Sequence, residues 1–150
     1  MAEARLRRFA EGFSFLEVPR WHDGQLWVAD MYGRRVLAFA ADGSVQTAVD
    51  VPGTPTGLGW LHDGRLLVLL RERRLLRLEP CGLVEVCDLA EIGPAVPNEL
   101  SVDAGGRVYV GVFGLASGGL VRVDPDGTTS RVTADLLLPN GQAITPDGRC

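Results

Sequence analysis

The sequence predicts an all-β chain, an arc of β-propeller blades: about three four-stranded blades plus the start of a fourth. Two observations predict it. Glycines that close hairpin turns recur at Gly24, Gly64, Gly106 and Gly148, spaced 40, 42 and 42 residues apart. A second set, Gly43, Gly82 and Gly127, falls between them, so each repeat holds two hairpins. A period of this length with paired hairpins is the signature of a propeller blade.

The first hairpins read Trp21-His-Asp-Gly24, Trp60-Leu-His-Asp-Gly64, Asp103-Ala-Gly-Gly106 and Thr145-Pro-Asp-Gly148. Asp-Gly supplies the positive φ that a tight hairpin turn demands. The flanking runs are short and rich in Val, Leu and aromatic residues, and Val121 to Asp124 alternates with period two. The middle unit divides into four strands, Gly57–Leu61, Arg65–Arg71, Leu75–Glu79 and Leu83–Leu89. Blades are expected at about 13–51, 55–90 and 97–135, with the next opening at 139–150. No sustained helical period with caps occurs. Propellers close with four or more blades, and the sequence stops just past a hairpin turn. The chain therefore reads as the N-terminal part of a larger propeller.

Composition narrows the function classes. The 150 residues carry 46% hydrophobic side chains, enough for a packed core. The net charge is −4, and every one of the 15 basic residues is Arg. Such a surface repels nucleic acid and anionic membrane, and no Lys/Arg run reverses this. No apolar run is long enough for a membrane-spanning helix, and Met1 to Phe15 lacks the apolar middle of a signal peptide. A cytoplasmic chain is expected, with Cys81, Cys87 and Cys150 as reduced thiols lacking metal-ligand spacing. No protein partner is implied. His22 and His62, each before Asp-Gly, are expected at exposed turns. Trp21, Trp27 and Trp60 are expected to pack between blades. The glycine-rich stretch Phe113 to Gly119 lacks the Lys of a phosphate loop.

The candidate site comes from counting back from the turn glycines. Thr56, Asn98 and Asn140 each stand eight residues before their turn glycine and follow a proline, and Glu17 stands seven before Gly24, whose turn is one residue shorter. Proline is tolerated at a strand's first residue. The first strand of each blade lines the central channel, so these positions form a ring at one mouth. Converging oxygen donors suit a hard divalent cation, Ca²⁺ or Mg²⁺, and a carboxylate also suits Zn²⁺. Thr56 is expected only to cap its strand through a local hydrogen bond. Glu99 is expected to turn to the opposite face from Asn98 and play a supporting part. Asp30 is expected to bond to a nearby turn, and Arg71 to Arg74 to form a solvated connection.

At Phe15-Leu-Glu-Val-Pro-Arg-Trp21, Leu26-Trp-Val-Ala-Asp30, Pro55-Thr-Gly-Leu-Gly-Trp60, Pro97-Asn-Glu-Leu100 and Leu138-Pro-Asn-Gly141, the chain resembles the gluconolactonase/regucalcin (senescence-marker) family. The resemblance runs through nearly all of the chain but covers about the first half of a family member. It implies a six-bladed propeller with one divalent cation on its axis, hydrolysing sugar lactones and related esters. By resemblance, Glu17 and Asn140 match metal ligands, and Asn98 matches the channel residue that contacts the metal site or the substrate. The family's general-base aspartate would lie beyond Cys150, so no catalytic base is expected within these residues and the chain alone is expected to be inactive. The cation's identity stays open among Ca²⁺, Zn²⁺, Mg²⁺ and Mn²⁺. Two positions depart from the family pattern. Val18 stands where the family has Gly, and is expected to narrow the backbone approach to the metal. Glu99 stands where the family has Asp, and is expected to change the hydrogen bonding around the site. A non-catalytic propeller with a structural cation, and another metal-dependent esterase or phosphotriesterase, are the alternatives.

Overall fold

The computed structural model describes residues 6–114, 118–145 and 147–148. Twelve strands form three four-stranded antiparallel sheets, each in sequence order. The first holds β1 (Leu16–His22), β2 (Gln25–Asp30), β3 (Arg35–Phe39) and β4 (Val45–Asp50). The second holds β5 (Pro55–Trp60), β6 (Leu66–Leu70), β7 (Arg74–Glu79) and β8 (Gly82–Asp88). The third holds β9 (Val96–Val102), β10 (Val108–Phe113), β11 (Gly119–Val123) and β12 (Thr129–Thr133). A single 3₁₀ turn, Ala90–Ile92, links the second sheet to the third, and no α-helix occurs among the described residues. These are the predicted blades, and the strands of the middle unit lie within two residues of expectation. The seven turn glycines all take positive φ, from 67° at Gly148 to 117° at Gly82.

Blade stacking explains the apolar run of β6, Leu66-Leu-Val-Leu-Leu70, whose residues are all buried. Its side chains divide with period two between the blade's two faces. Leu66, Val68 and Leu70 join Val18, Ala29, Val36 and Leu58 at the junction with the first blade. Leu67 and Leu69 join Leu100, Val110 and Val121 at the junction with the third. Each fully buried Leu stabilises by about 1.5–3 kcal/mol, so these junctions are the core. The first blade's other face (Val28, Leu37, Phe39) is covered by the N-terminal segment. Phe13 meets Phe39 edge-on at 5.4 Å.

The inner strands approach closely where the second and third blades meet. Gly57 and Gly59 of β5 leave bare backbone on that side, and Leu100 of β9 lies against it. A Cβ on Gly59 would stand 2.5 Å from Leu100 Cδ1 and 2.9 Å from Val102 Cγ2.

Three expectations are corrected. The predicted opening strand at 139–150 is not a strand over its described residues, because no following strand pairs with it. It is instead seated on the third blade: Pro139 covers Gly111, and Gln142 Nε2 donates to the Tyr109 carbonyl at 2.6 Å. Trp21 does not pack between blades but is 70% exposed, because its side chain projects away from the junction that Trp27 and Trp60 fill. His22 is not at an exposed turn; its ring stacks on Trp60 at 4.1 Å. Cys87 is a buried free thiol whose pKa is pushed up by burial, and Cys150 lies outside the described residues.

Asp30 anchors the start of β1. Its fully buried carboxylate accepts from Ser14 Oγ, Ser14 N and Phe15 N on Oδ1 and from Arg35 Nε and Nη2 on Oδ2. Burial alone would raise its pKa, but the hydrogen bonds from Ser14, Phe15 and Arg35 outweigh it and hold the carboxyl below its usual 3.8. A carboxyl with a lowered folded pKa stabilises above its unfolded pKa and loses that contribution as pH falls through the folded value. Asp30→Asn is therefore expected to melt well below the wild type at pH 7. The gap should close as pH drops beneath about 3.8. Thermal melts at pH 7 and pH 3 check this, and an unchanged gap would contradict it.

Candidate metal and substrate site

Glu17, Thr56 and Asn98 lie near the starts of the inner strands β1, β5 and β9, and each of those strands carries a β-bulge there. In β5 the register passes from Pro55 to Gly57 opposite consecutive residues, leaving Thr56 as the extra residue. In β9 it passes from Pro97 to Glu99, leaving Asn98 extra. In β1, Val18 and Pro19 together oppose Val28, with Glu17 paired to Ala29 just before. A bulge breaks the ladder and re-aims the side chains beside it. Thr56 and Asn98 thus share a local structure, whereas in β1 the bulge falls one residue after Glu17.

Asn98 and Asn140 come together. Asn98 Nδ2 donates to Asn140 Oδ1 at 3.2 Å across 42 residues of sequence. Glu17 is half-buried, and its carboxylate has no hydrogen-bond or ion-pair partner among the described residues. Its charge reaches the neighbour of Asn98, adding to the upward pull on the Glu99 pKa. Thr56 does not make the expected local bond and instead links two blades. It is buried, and its hydroxyl is directed to the carbonyls of Pro97 at 3.2 Å and Leu69 at 3.5 Å.

The donor set at this mouth is one unpaired carboxylate with two amide side chains. Hard oxygen donors of this kind fit a divalent cation, although they fill only part of the six to eight positions Ca²⁺ takes. Among the described residues no three His, Cys, Asp or Glu side chains cluster as a metal site. Cavities of about 330 and 450 Å³ lie at the opposite, turn-lined end of the blades, and neither is lined by Glu17, Asn98 or Asn140. The candidate site is an open mouth.

Strand alternation predicts that Glu99 turns away from Asn98, and their contacts differ accordingly: Asn98 reaches Asn140, whereas Glu99 reaches the first blade. Glu99 is only 7% exposed and meets Arg20 of β1, with Arg20 Nη2 to Glu99 Oε1 at 2.5 Å. Arg20 Nη2 also donates to the Leu100 carbonyl at 3.2 Å, and Nη1 to the Pro19 carbonyl at 3.0 Å. The pair thus spans from the first blade to the third, past β5. Burial pushes the Glu99 pKa up, opposed by the Arg20 charge and by hydrogen bonds from Leu100 N and Arg20. Arg20 was not singled out from sequence, where a lone Arg beside Trp21 carries no signal.

Val18 does not narrow the approach to the mouth. Its side chain points into the core between the first two blades, where it is 3% exposed. The departure from Gly falls on the backbone instead: φ is 54°, rare for a β-branched residue and further disfavoured before proline.

Comparison with known proteins bears on the fold and the family. The profile of the SMP-30/Gluconolactonase/LRE-like region matches residues 15–150. A pentonolactonase, XacC of Haloferax volcanii, is 29% identical over 140 residues, 87% of this chain and 46% of its own. A gluconolactonase from Xanthomonas campestris superposes with a TM-score of 0.76 at 25% identity, covering 93% of this chain and 54% of that one. A calcium-binding protein, regucalcin, from Agrobacterium tumefaciens superposes at 0.74 with 20% identity, over 91% of this chain and 48% of that one. The chain spans about half the length of these relatives.

The Val18 geometry yields a test. Val18→Gly loses a buried side chain worth about 2 kcal/mol but relieves a left-handed strain of about 1–3 kcal/mol. It is expected to change stability by less than about 1 kcal/mol, whereas Val68→Gly, with no strain to relieve, should cost about 3 kcal/mol. Denaturant titration of both variants checks this, and equal losses would contradict the strain. With the profile match over 15–150, three propeller blades and the bulged mouth in place, the chain belongs to the SMP-30/gluconolactonase/LRE-like family.

Proposed function

We propose that this mouth is the first half of a metal-dependent lactonase site, acting on a small sugar lactone once further blades complete the six-bladed propeller. The reading is supported by the Asn98–Asn140 hydrogen bond and by Glu17, a carboxylate without a partner among the described residues near the start of the inner strand β1. The lactonase names of the relatives support the substrate class.

Glu17 and Asn140 would hold the cation through carboxylate and amide oxygens. When bound, a divalent cation supplies Lewis acidity at a carbonyl and lowers the pKa of a coordinated water. Asn98 binds and orients. Its amide is fixed by the Asn140 contact, and its second N–H is available to a substrate hydroxyl or to the oxygen that gains charge as the lactone opens. The Pro97–Glu99 bulge holds that amide at the mouth, so its aim does not depend on a mobile loop. No residue within this chain is assigned as the general base, so the chain alone does not complete the reaction.

The test has two arms. The isolated 150-residue chain, given a gluconolactone-type substrate with Ca²⁺, Mg²⁺, Mn²⁺ or Zn²⁺, is expected to show no turnover above spontaneous ring opening. A complete propeller containing it is expected to hydrolyse the lactone and to lose at least about a hundredfold in rate on chelation or Glu17→Gln. Turnover by the isolated chain that vanishes in Glu17→Gln would overturn the incompleteness. A complete propeller inactive with every cation would overturn the enzymatic reading in favour of a binding scaffold.

A further inference from the structure

The inner strands carry a second carboxylate close to Glu17, and the chain neutralises it with a residue from another blade. Arg20 lies three residues along β1 from Glu17, and Glu99 lies one residue along β9 from Asn98. Their ion pair therefore sits just inside the mouth and crosses from the first blade to the third. Glu99 Oε1 accepts from Arg20 Nη2 and from Leu100 N, while Oε2 has no donor among the described residues. The guanidinium is held in turn by the Pro19 and Leu100 carbonyls. Both ends of the bridge are fixed by backbone, and Glu17 is near enough for its charge to act on Glu99.

We propose that Arg20 is a positioning residue that sets the charge of this mouth: by pairing with Glu99 it leaves Glu17 as the one uncompensated carboxylate and so tunes the affinity of the cation site. The inference rests on the reading of Glu17 and Asn140 as cation ligands. Its physical basis is simple. Glu17, Glu99 and Arg20 together carry a net charge of −1. Without Arg20 the same space carries −2, and without Glu99 it carries zero. A cation held by Glu17 responds to the two changes in opposite directions, and in a partly desolvated channel a unit charge a few ångströms away changes affinity by roughly tenfold.

The test is titration with Mn²⁺ at pH 8, with free Mn²⁺ followed by electron paramagnetic resonance. The full 150-residue chain is used, and circular dichroism confirms the fold of each variant. Arg20→Met is expected to bind about tenfold more tightly than wild type and Glu99→Gln about tenfold more weakly. The double variant Arg20→Met/Glu99→Gln and the charge-conserving Arg20→Lys should each return to within about threefold of wild type. Glu17→Gln abolishes binding if the site reading holds. If Glu17→Gln binds like wild type, or no variant binds, that reading fails and this inference with it. If Glu17→Gln abolishes binding but Arg20→Met and Glu99→Gln match wild type, or both weaken it, the pair is only a strap and the inference alone is overturned. Should Arg20→Met not fold, Glu99→Gln against the double variant decides: restored binding in the double variant supports the inference, and equal weakness contradicts it.

Discussion

The packing of Leu100 onto the bare backbone of Gly57 and Gly59 governs the site. Without side chains on that side of β5, the inner strand of the third blade comes close enough for the Thr56 hydroxyl to reach the Pro97 carbonyl. The same closeness lets Arg20 reach past β5 to Glu99. Larger residues at either glycine would push β9 away, because an added Cβ at Gly59 meets Leu100 and Val102 well inside van der Waals contact. The second and third blades meet closely because these two positions carry no side chain.

The bulges convert this proximity into a site. With Asn98 as the extra residue, its amide reaches Asn140 while Glu99 enters the pair with Arg20. In β1 the bulge falls one residue later, at Val18 and Pro19, and Glu17 keeps its ladder partner Ala29. The strain at Val18 is the local consequence, offset in part by burial of its side chain beside Val36 and Leu58. Behind Glu17, the buried Asp30 fixes Ser14 and Phe15, so the carboxylate projects from a strand whose start is tied down.

Much of the fold was legible in the sequence because hairpin turns require positive φ, and only a few residue types supply it. Asp-Gly at regular spacing thus revealed blades, strands and the corresponding offsets of Glu17, Thr56, Asn98 and Asn140. Thr56 bonds to carbonyls, but its acceptors are Leu69 on the neighbouring strand and Pro97 on the next blade, which a local reading of the strand start does not show. What stayed hidden depends on the third dimension. Alternation turns Glu99 away from Asn98, but neither the Asn98 bulge nor the pairing with Arg20 is visible in the run Pro97-Asn-Glu-Leu100. Arg20 could not be matched to a partner 79 residues away. Trp21 and Trp27 look alike as apolar residues, yet one is exposed and the other packs on Trp60. The expected fourth-blade strand reads correctly as a repeat but has nothing to pair with among the described residues.

The central claim is that Glu17 and Asn140 face one cation. The direct measurement is anomalous diffraction from crystals of the chain soaked in Tb³⁺, a hard, oxygen-seeking stand-in for Ca²⁺. The account predicts a peak within about 2.3–2.6 Å of both a Glu17 carboxylate oxygen and Asn140 Oδ1, absent from Glu17→Gln crystals. A peak confined to the exposed Asp-Gly turns, or one at Glu17 with Asn140 directed elsewhere, would contradict it.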